Sequence, residues 1–393
     1  MPTESAVQTK FIKNQRPVAL AIGGLVALAV GMGIGRFAYT PILPFMLENA
    51  GIDTSDAGFV ATANYVGYVL GAVAASVGRL PGSSRSWFLG ALFTSAVTTA
   101  FMGAVDGVAL FSAVRFLSGI ASAFVLVFAS ALVLERLARM GRPSLANVHF
   151  AGVGVGIIVS SLLIAGAKNL GLDWQGLWIL SGIASLIGLL LCAILVPPIQ
   201  SPNVTAQAND GIPRSLTLLI LSYGFVGFGY IITATFISTI VRMEPTVRWL
   251  EVPIWMIVGL GAAFSVAVWM KVSAWISLKA AYVLAAAITA ISVALTASAD
   301  NPVLLVIGSF AFGLCFMAVT AFGFMLAREA APGAARQAIG IMTVAFGAGQ
   351  AIGPWFAGVI VEQTGSFTVP TLTAAVALML SSILGGLWQP REG

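Results

Sequence analysis

Carboxylates are what this sequence withholds from its interior. The chain has 393 residues and 14 Asp plus Glu, and each of them maps to a polar connection or to the end of an apolar run. An acidic proton relay inside a span, or a pair of carboxylates for general acid–base work, is thereby excluded. Charged residues of either sign make up 8% of the chain, where soluble proteins carry about 25%. Histidine occurs once, as His149, and cysteine twice, as Cys192 and Cys315, each cysteine inside an apolar run where it acts as a small hydrophobe. No disulfide framework or metal-ligand spacing exists, so neither a metal nor a cofactor is expected. An enzyme embedded in a membrane would need a nucleophile with its base, a metal cluster or paired acids in the spans, and the chain supplies none of these sets.

What is present is apolar surface: 59% of residues are hydrophobic and the mean hydropathy is +1.00. Runs of about twenty apolar residues place helices near 17–47, 55–78, 86–105, 107–134, 143–167 and 174–196. A second six follows near 215–241, 249–270, 275–298, 302–327, 335–361 and 367–388. The expectation is an all-α integral membrane protein of twelve spans in two sixes. Its parts are a tail (1–16), a first half (17–196), a linker (197–214), a second half (215–388) and a short end (389–393). The linker is marked by Pro197, Pro198, Pro202 and Pro213.

Lys10, Lys13 and Arg16 ahead of an apolar stretch imitate a secretory leader. The run is too long for one and continues through Arg36 and Tyr39, so a retained first span is expected. With the amino terminus inside, fourteen Lys and Arg fall on the cytoplasmic side and three, Lys168, Arg242 and Arg248, on the other. Both termini are therefore expected in the cytoplasm. The net charge of +5 is dispersed between spans and forms no patch for nucleic acid.

The two sixes repeat. Glu135 and Glu329 stand 194 apart, as do Arg142 and Arg336, each pair reading Glu, six residues, Arg. Gly154 and Gly156 recur as Gly347 and Gly349 at an offset of 193. Such register favours parallel repeats. The glycine runs lack the strand-turn-helix context of a phosphate loop and read as close-packing surfaces.

Two basic residues remain inside spans, Arg36 and Arg115. A guanidinium in a bilayer costs roughly 2.5 to 17 kcal/mol by different measures, so each must face water, a partner or a substrate. Arg36 follows Gly31, Gly33 and Gly35 and precedes Pro41 and Pro44, a loosened helix whose free carbonyls offer an alternative partner. Without buried acids nearby, the two arginines make an electropositive focus suited to an anion such as a carboxylate, to which arginine offers two donors at once. Tyr39 lies one turn from Arg36. Asn64, Tyr65 and Tyr68 on the second span, Tyr230 on the seventh and Gln350 on the eleventh are further candidates for a wet cavity, since buried amides need partners. For the tyrosines the alternative is the lipid interface.

Two six-helix halves, a central linker and the repeated Glu-x6-Arg resemble the major facilitator superfamily over essentially the whole chain. Gly33-Ile-Gly-Arg-Phe-Ala-Tyr-Thr-Pro-Ile-Leu-Pro44 and Ala63-Asn-Tyr-Val-Gly-Tyr-Val-Leu-Gly-Ala72 resemble the YbfB/YjiJ-type branch. The resemblance implies a secondary active transporter of the bacterial inner membrane that rocks its halves about a midplane site. It also implies a monomer whose partners are the lipid bilayer, a small-molecule substrate, and protons or a counter-anion. Gly71, Gly78 and Arg79 match the superfamily's loop signature between the second and third spans, but Ala75 and Ser76 stand where its Asp and first base belong. Cytoplasmic closure then falls to Glu135, Arg142, Glu329 and Arg336, unless these are mere boundary charges. Arg115-Phe-Leu-Ser-Gly119 resembles the Arg-x-x-x-Gly element, whose arginine is linked to coupling. His149, which titrates near neutrality when unperturbed, is a second coupling candidate, or a structural residue at a helix end. The substrate expected is a small organic anion; the competing expectation is a drug or metabolite exporter with a mainly aromatic cavity.

Overall fold

The computed structural model describes residues 16–76, 80–198, 216–331 and 334–389, and for residues 335 and 336 the backbone alone. Twelve helices among the described residues are long and apolar enough to cross a membrane, and none of those residues is in a strand. Only helices keep every backbone group paired in hydrocarbon without closing a barrel. The first span, α1, runs over Pro17–Asn49 and is broken in the middle. The rest of the first half comprises α2 (Thr54–Ser76), α3 (Ser84–Phe101), α4 (Val108–Arg139), α5 (Ala146–Asn169) and α6 (Trp174–Leu195). The second half comprises α7 (Thr217–Met243), α8 (Glu251–Ile276), α9 (Leu278–Thr296), α10 (Pro302–Ala330), α11 (Ala335–Thr364) and α12 (Thr368–Leu387). Most of the expected linker and the outer parts of both tails lie outside the described residues.

The helix ends carry ordinary stop and start chemistry. Ser83, Asp173 and Asn301 accept hydrogen bonds from the first-turn amides of α3, α6 and α10. Gly365, at a φ of 67°, closes α11 in the left-handed conformation that costs glycine nothing. Large apolar side chains such as Leu162, Leu190, Ile194, Val303 and Val376 point outward, as lipid-facing positions do.

Between helices there is little hydrophobic drive in lipid, so close approach of small residues holds them together. Here the repeat becomes physical. Gly33 of α1 abuts Gly156 of α5, and Gly227 of α7, 194 residues on, abuts Phe346 of α11. Gly67 and Gly119 lock α2 against α4, while Gly261 and Gly313, again 194 on, lock α8 against α10. In the α5 glycine run, Gly152 and Gly156 face α1 and Gly154 faces Gly259 and Ala263 of α8. The α11 pair divides likewise: Gly349 faces α7 and Gly347 faces Val69 of α2. The halves therefore meet along α2–α11, α5–α8 and α1–α7.

One end of the bundle is closed. It is the end at which α1 and α7 finish. Every hydrogen bond and ion pair joining the halves among the described residues lies between that end and mid-bundle: Thr40 to the Ala234 carbonyl, Thr54 to Glu362, Thr62 to the Ala351 carbonyl, Tyr65 with Thr235, and a charged cluster. In that cluster Arg242 of α7 grips Glu48 of α1 with two nitrogens and donates to Glu251 of α8 at 2.6 Å, while Arg248 reaches Glu48 at 3.3 Å. Glu48 and Arg242 stand 194 apart, as do Thr40 and Ala234, so repeat-related positions meet.

Candidate functional site

The site begins with a break in α1. A regular helix covers Pro17–Leu28, a π-turn follows over Ala29–Ile34, and the α-helix resumes at Tyr39–Asn49. Pro41 has no N–H to give the Phe37 carbonyl, which takes Thr40 N instead at 3.2 Å, so the Arg36 carbonyl loses its usual partner. Arg115 of α4 supplies the missing donors. Its Nη1 donates to Gly35 O at 3.0 Å and its Nη2 to Arg36 O at 2.9 Å, with Ser118 Oγ adding a bond to Gly35 O at 3.1 Å. Asn64 fixes this arrangement from α2 by donating to the Arg115 carbonyl at 2.8 Å. Thus Arg115, 1% exposed, meets the backbone alternative raised by the sequence, and it holds the broken helix in shape.

Arg36 is different. It is 2% exposed, and its guanidinium lies over Tyr68 and Tyr65, 4.1 and 4.8 Å from their ring centroids. No carboxylate pairs with it among the described residues, and its Nε and Nη2 have no hydrogen-bond partner. Stacking on two ring faces gives a desolvated cation about 2 kcal/mol or more each, which holds the group without neutralising it. The result is a fixed positive charge with open donors.

The second half faces it with aromatic carbon. Tyr230 occupies the repeat position of Arg36, 194 residues on. It stacks on Phe316 (5.6 Å, 8° between planes) and on Phe346 (5.4 Å, 17°). Phe312 extends the column beyond Phe316 and Tyr223 extends it beyond Phe346. Gln350 Nε2 donates to the Tyr230 hydroxyl, leaving Gln350 Oε1 without a partner. Thr62 on Ala351 and Val69 against Gly347 press this part of α11 onto the part of α2 that carries Tyr65 and Tyr68. Tyr65 also reaches Thr235 of α7 at 3.4 Å. Arg36, Tyr65 and Tyr68 from one half and Tyr230 and Gln350 from the other are thereby brought together.

Other sequence candidates lie elsewhere. The Tyr39 hydroxyl donates to Ala57 O at 2.9 Å and its ring flanks Arg115 at 5.1 Å, which ties α1 to α2 behind the break. His149 is fully buried, with Nε2 at 3.4 Å from Ser130 Oγ, and Gly24 is pressed onto its ring. Gly71 packs on Ile120 of α4. Gly78 and Arg79 lie outside the described residues, as does the Arg336 side chain. Glu135 pairs with Arg139 one turn along its own helix, not across to another. Arg142 and Glu329 are exposed and form no ion pair among the described residues.

Sequence reasoning missed the charged cluster at the closed end and also Trp255, whose ring meets Phe37 at 6.0 Å across the halves. Glu48 and Arg242 carried a signal, since their spacing is that of the repeat; Trp255 carried none.

Comparison with known proteins matches this geometry to a transporter fold. Two crystal structures of the nucleoside transporter NupG, one of them a point mutant, superpose on the chain. The mutant gives a TM-score of 0.73 at 16% identity, covering 94% of this chain and 98% of its own. The other gives 0.69 at 17%, covering 95% and 99%. At those identities the likeness shows the fold alone. No curated protein matches the chain. The family described as "Uncharacterised MFS-type transporter YbfB" matches residues 28–385, and the chain belongs to that family of major facilitator superfamily transporters.

Proposed function

We propose that the chain is a secondary active transporter of the bacterial inner membrane that carries a small organic anion, with Arg36 as the anchor for its negative group. The observation that carries this reading is the Arg36 guanidinium, buried, held by tyrosine faces and unpaired at Nε and Nη2. A charged group in that setting is matched by an incoming carboxylate, which arginine takes with two parallel bonds. With both termini in the cytoplasm, the closed end faces outward and the site is approached from the cytoplasmic end. The halves 17–196 and 215–388 rock about the site while the linker 197–214 spans them. Coupling to protons or a counter-anion runs without an acid in the middle of a span, because the carboxylates of the described residues, the buried Glu251 among them, sit at helix ends and in connections.

A second reading has one observation behind it. The neighbouring structures are of a nucleoside transporter, and a neutral planar solute would suit the aromatic second half. A thermal-shift screen separates the two. A ligand at 100 times its dissociation constant stabilises by about 2.7 kcal/mol. Stabilisation by organic anions that disappears in Arg36→Ala supports the anion reading. Stabilisation by nucleosides or cationic drugs, unaffected by the substitution, replaces it.

A further inference from the structure

The two halves contribute opposite chemistry to the site, and the difference specifies more than a charge. Of Arg36 and Arg115, Arg36 alone has an open terminal donor among the described residues. Both terminal nitrogens of Arg115 are engaged by the carbonyls of Gly35 and Arg36, so a second acidic group on the solute would find no base. Among the described residues no carboxylate pairs with either arginine, so an ammonium on the solute would find no partner there. Opposite Arg36, the second half presents the ring column Phe312, Phe316, Tyr230, Phe346 and Tyr223, uncharged and close-packed. A ring brought against such a wall gains from ring–ring contact beyond the area it buries. Beside that column Gln350 Oε1 is buried and has no partner, and its amide is oriented by the Tyr230 hydroxyl. Leaving such an atom unpaired carries its desolvation cost, which a donor on the solute recovers.

Resting on the anion reading, we infer that the solute is a monoanion on an unsaturated ring that carries an O–H or N–H donor remote from the acid group. The acid binds Arg36, the ring lies against the column, and the donor meets Gln350 Oε1. Because the acid is held by one half and the donor by the other, the occupied site bridges the halves.

Calorimetric titration of the purified full chain in micelles tests this with four monoanions: 4-hydroxybenzoate, benzoate, 4-methoxybenzoate and butyrate. The inference expects 4-hydroxybenzoate to bind at least about tenfold tighter than the other three. It expects Gln350→Leu, or Gln350→Met if that variant does not fold, to bring 4-hydroxybenzoate to the level of benzoate measured in the same variant. Butyrate binding as tightly as 4-hydroxybenzoate, with both lost in Arg36→Gln, leaves the anion reading standing and overturns the ring. The methoxy compound equalling the hydroxy compound overturns the donor. Binding of none of the three aromatic anions to the wild-type chain overturns the inference as well. Affinities untouched by Arg36→Gln overturn the anion reading itself.

Discussion

At the scale of single residues, Arg36 and Arg115 show how identical side chains in one membrane take different work. Both are buried, both are on first-half helices, and both were candidates for the same anion. What separates them is the nearest free carbonyl. Arg115 reaches two that the break in α1 exposes, whereas Arg36 sits between rings that accept a cation but no hydrogen bond from Nε or Nη2. Arg115→Ala therefore removes two charge-assisted bonds of about 1.5–3 kcal/mol each and leaves two carbonyls unpaired in a dry site. Its expected signature is a melting temperature several degrees below wild type in micelles, with only part restored by Arg115→Lys, whose single ammonium does not match the paired geometry. A melting curve that superposes on the wild type contradicts this role. The sequence made the location of both arginines legible, because charge in an apolar run is conspicuous. It left their division of labour open, because that depends on which carbonyls the Pro41 break frees and on where α4 passes.

At the scale of elements, the glycines decide how closely helices cross. The α1–α5 crossing offers a test. A Cβ on Gly33 would land on the backbone of Gly156, which cannot rotate away as a side chain can. Gly33→Ala is expected to cost about 1–3 kcal/mol as an overpacked contact. Gly90→Ala in α3, where a Cβ meets nothing within 4 Å, is expected to gain about 0.5–1 kcal/mol from helix propensity. Equal melting temperatures for the two variants would deny the crossing its role. The sequence disclosed these elements well, since runs of twenty apolar residues and a repeat of 193 to 194 are visible without coordinates. It did not disclose that α1 is two helices and a π-turn; glycine and proline announced a loosened helix but not how its hydrogen bonds shift. Of the cytoplasmic-end charges implied by the resemblance, Glu135 pairs with Arg139, one helical turn away on the same face.

At the scale of the whole molecule, the repeat explains the closed end. Repeat-related positions on α1 and α7 face one another, so Glu48 meets Arg242 and the halves are latched where those helices finish. The two contacts of Arg242 differ in strength, and only the one to Glu48 crosses between the halves. Glu48 is 45% exposed, and an exposed pair contributes about 0–1 kcal/mol. Arg242 and Glu251 are 10% and 6% exposed, and breaking a buried pair by removing one partner costs about 3–5 kcal/mol. Only the Glu48 contacts cross between the halves, because Arg242 and Glu251 both belong to the second, so Glu48→Gln and Arg242→Gln are both expected to open this end and Arg242→Gln alone to lower the melting temperature as well, through the partner that Glu251 loses. The native cysteines, Cys192 and Cys315, are both buried, so a thiol introduced by Thr54→Cys can report on it. Labelling that is no faster in Arg242→Gln than in the parent speaks against the latch. The central claim concerns the cation this latch encloses. Counterflow of radiolabelled benzoate into proteoliposomes, compared between the wild type and Arg36→Gln with Arg115 unaltered, tests it most directly. The account predicts uptake in the wild type and none above protein-free vesicles in the variant. Uptake by the variant at the wild-type rate would contradict it.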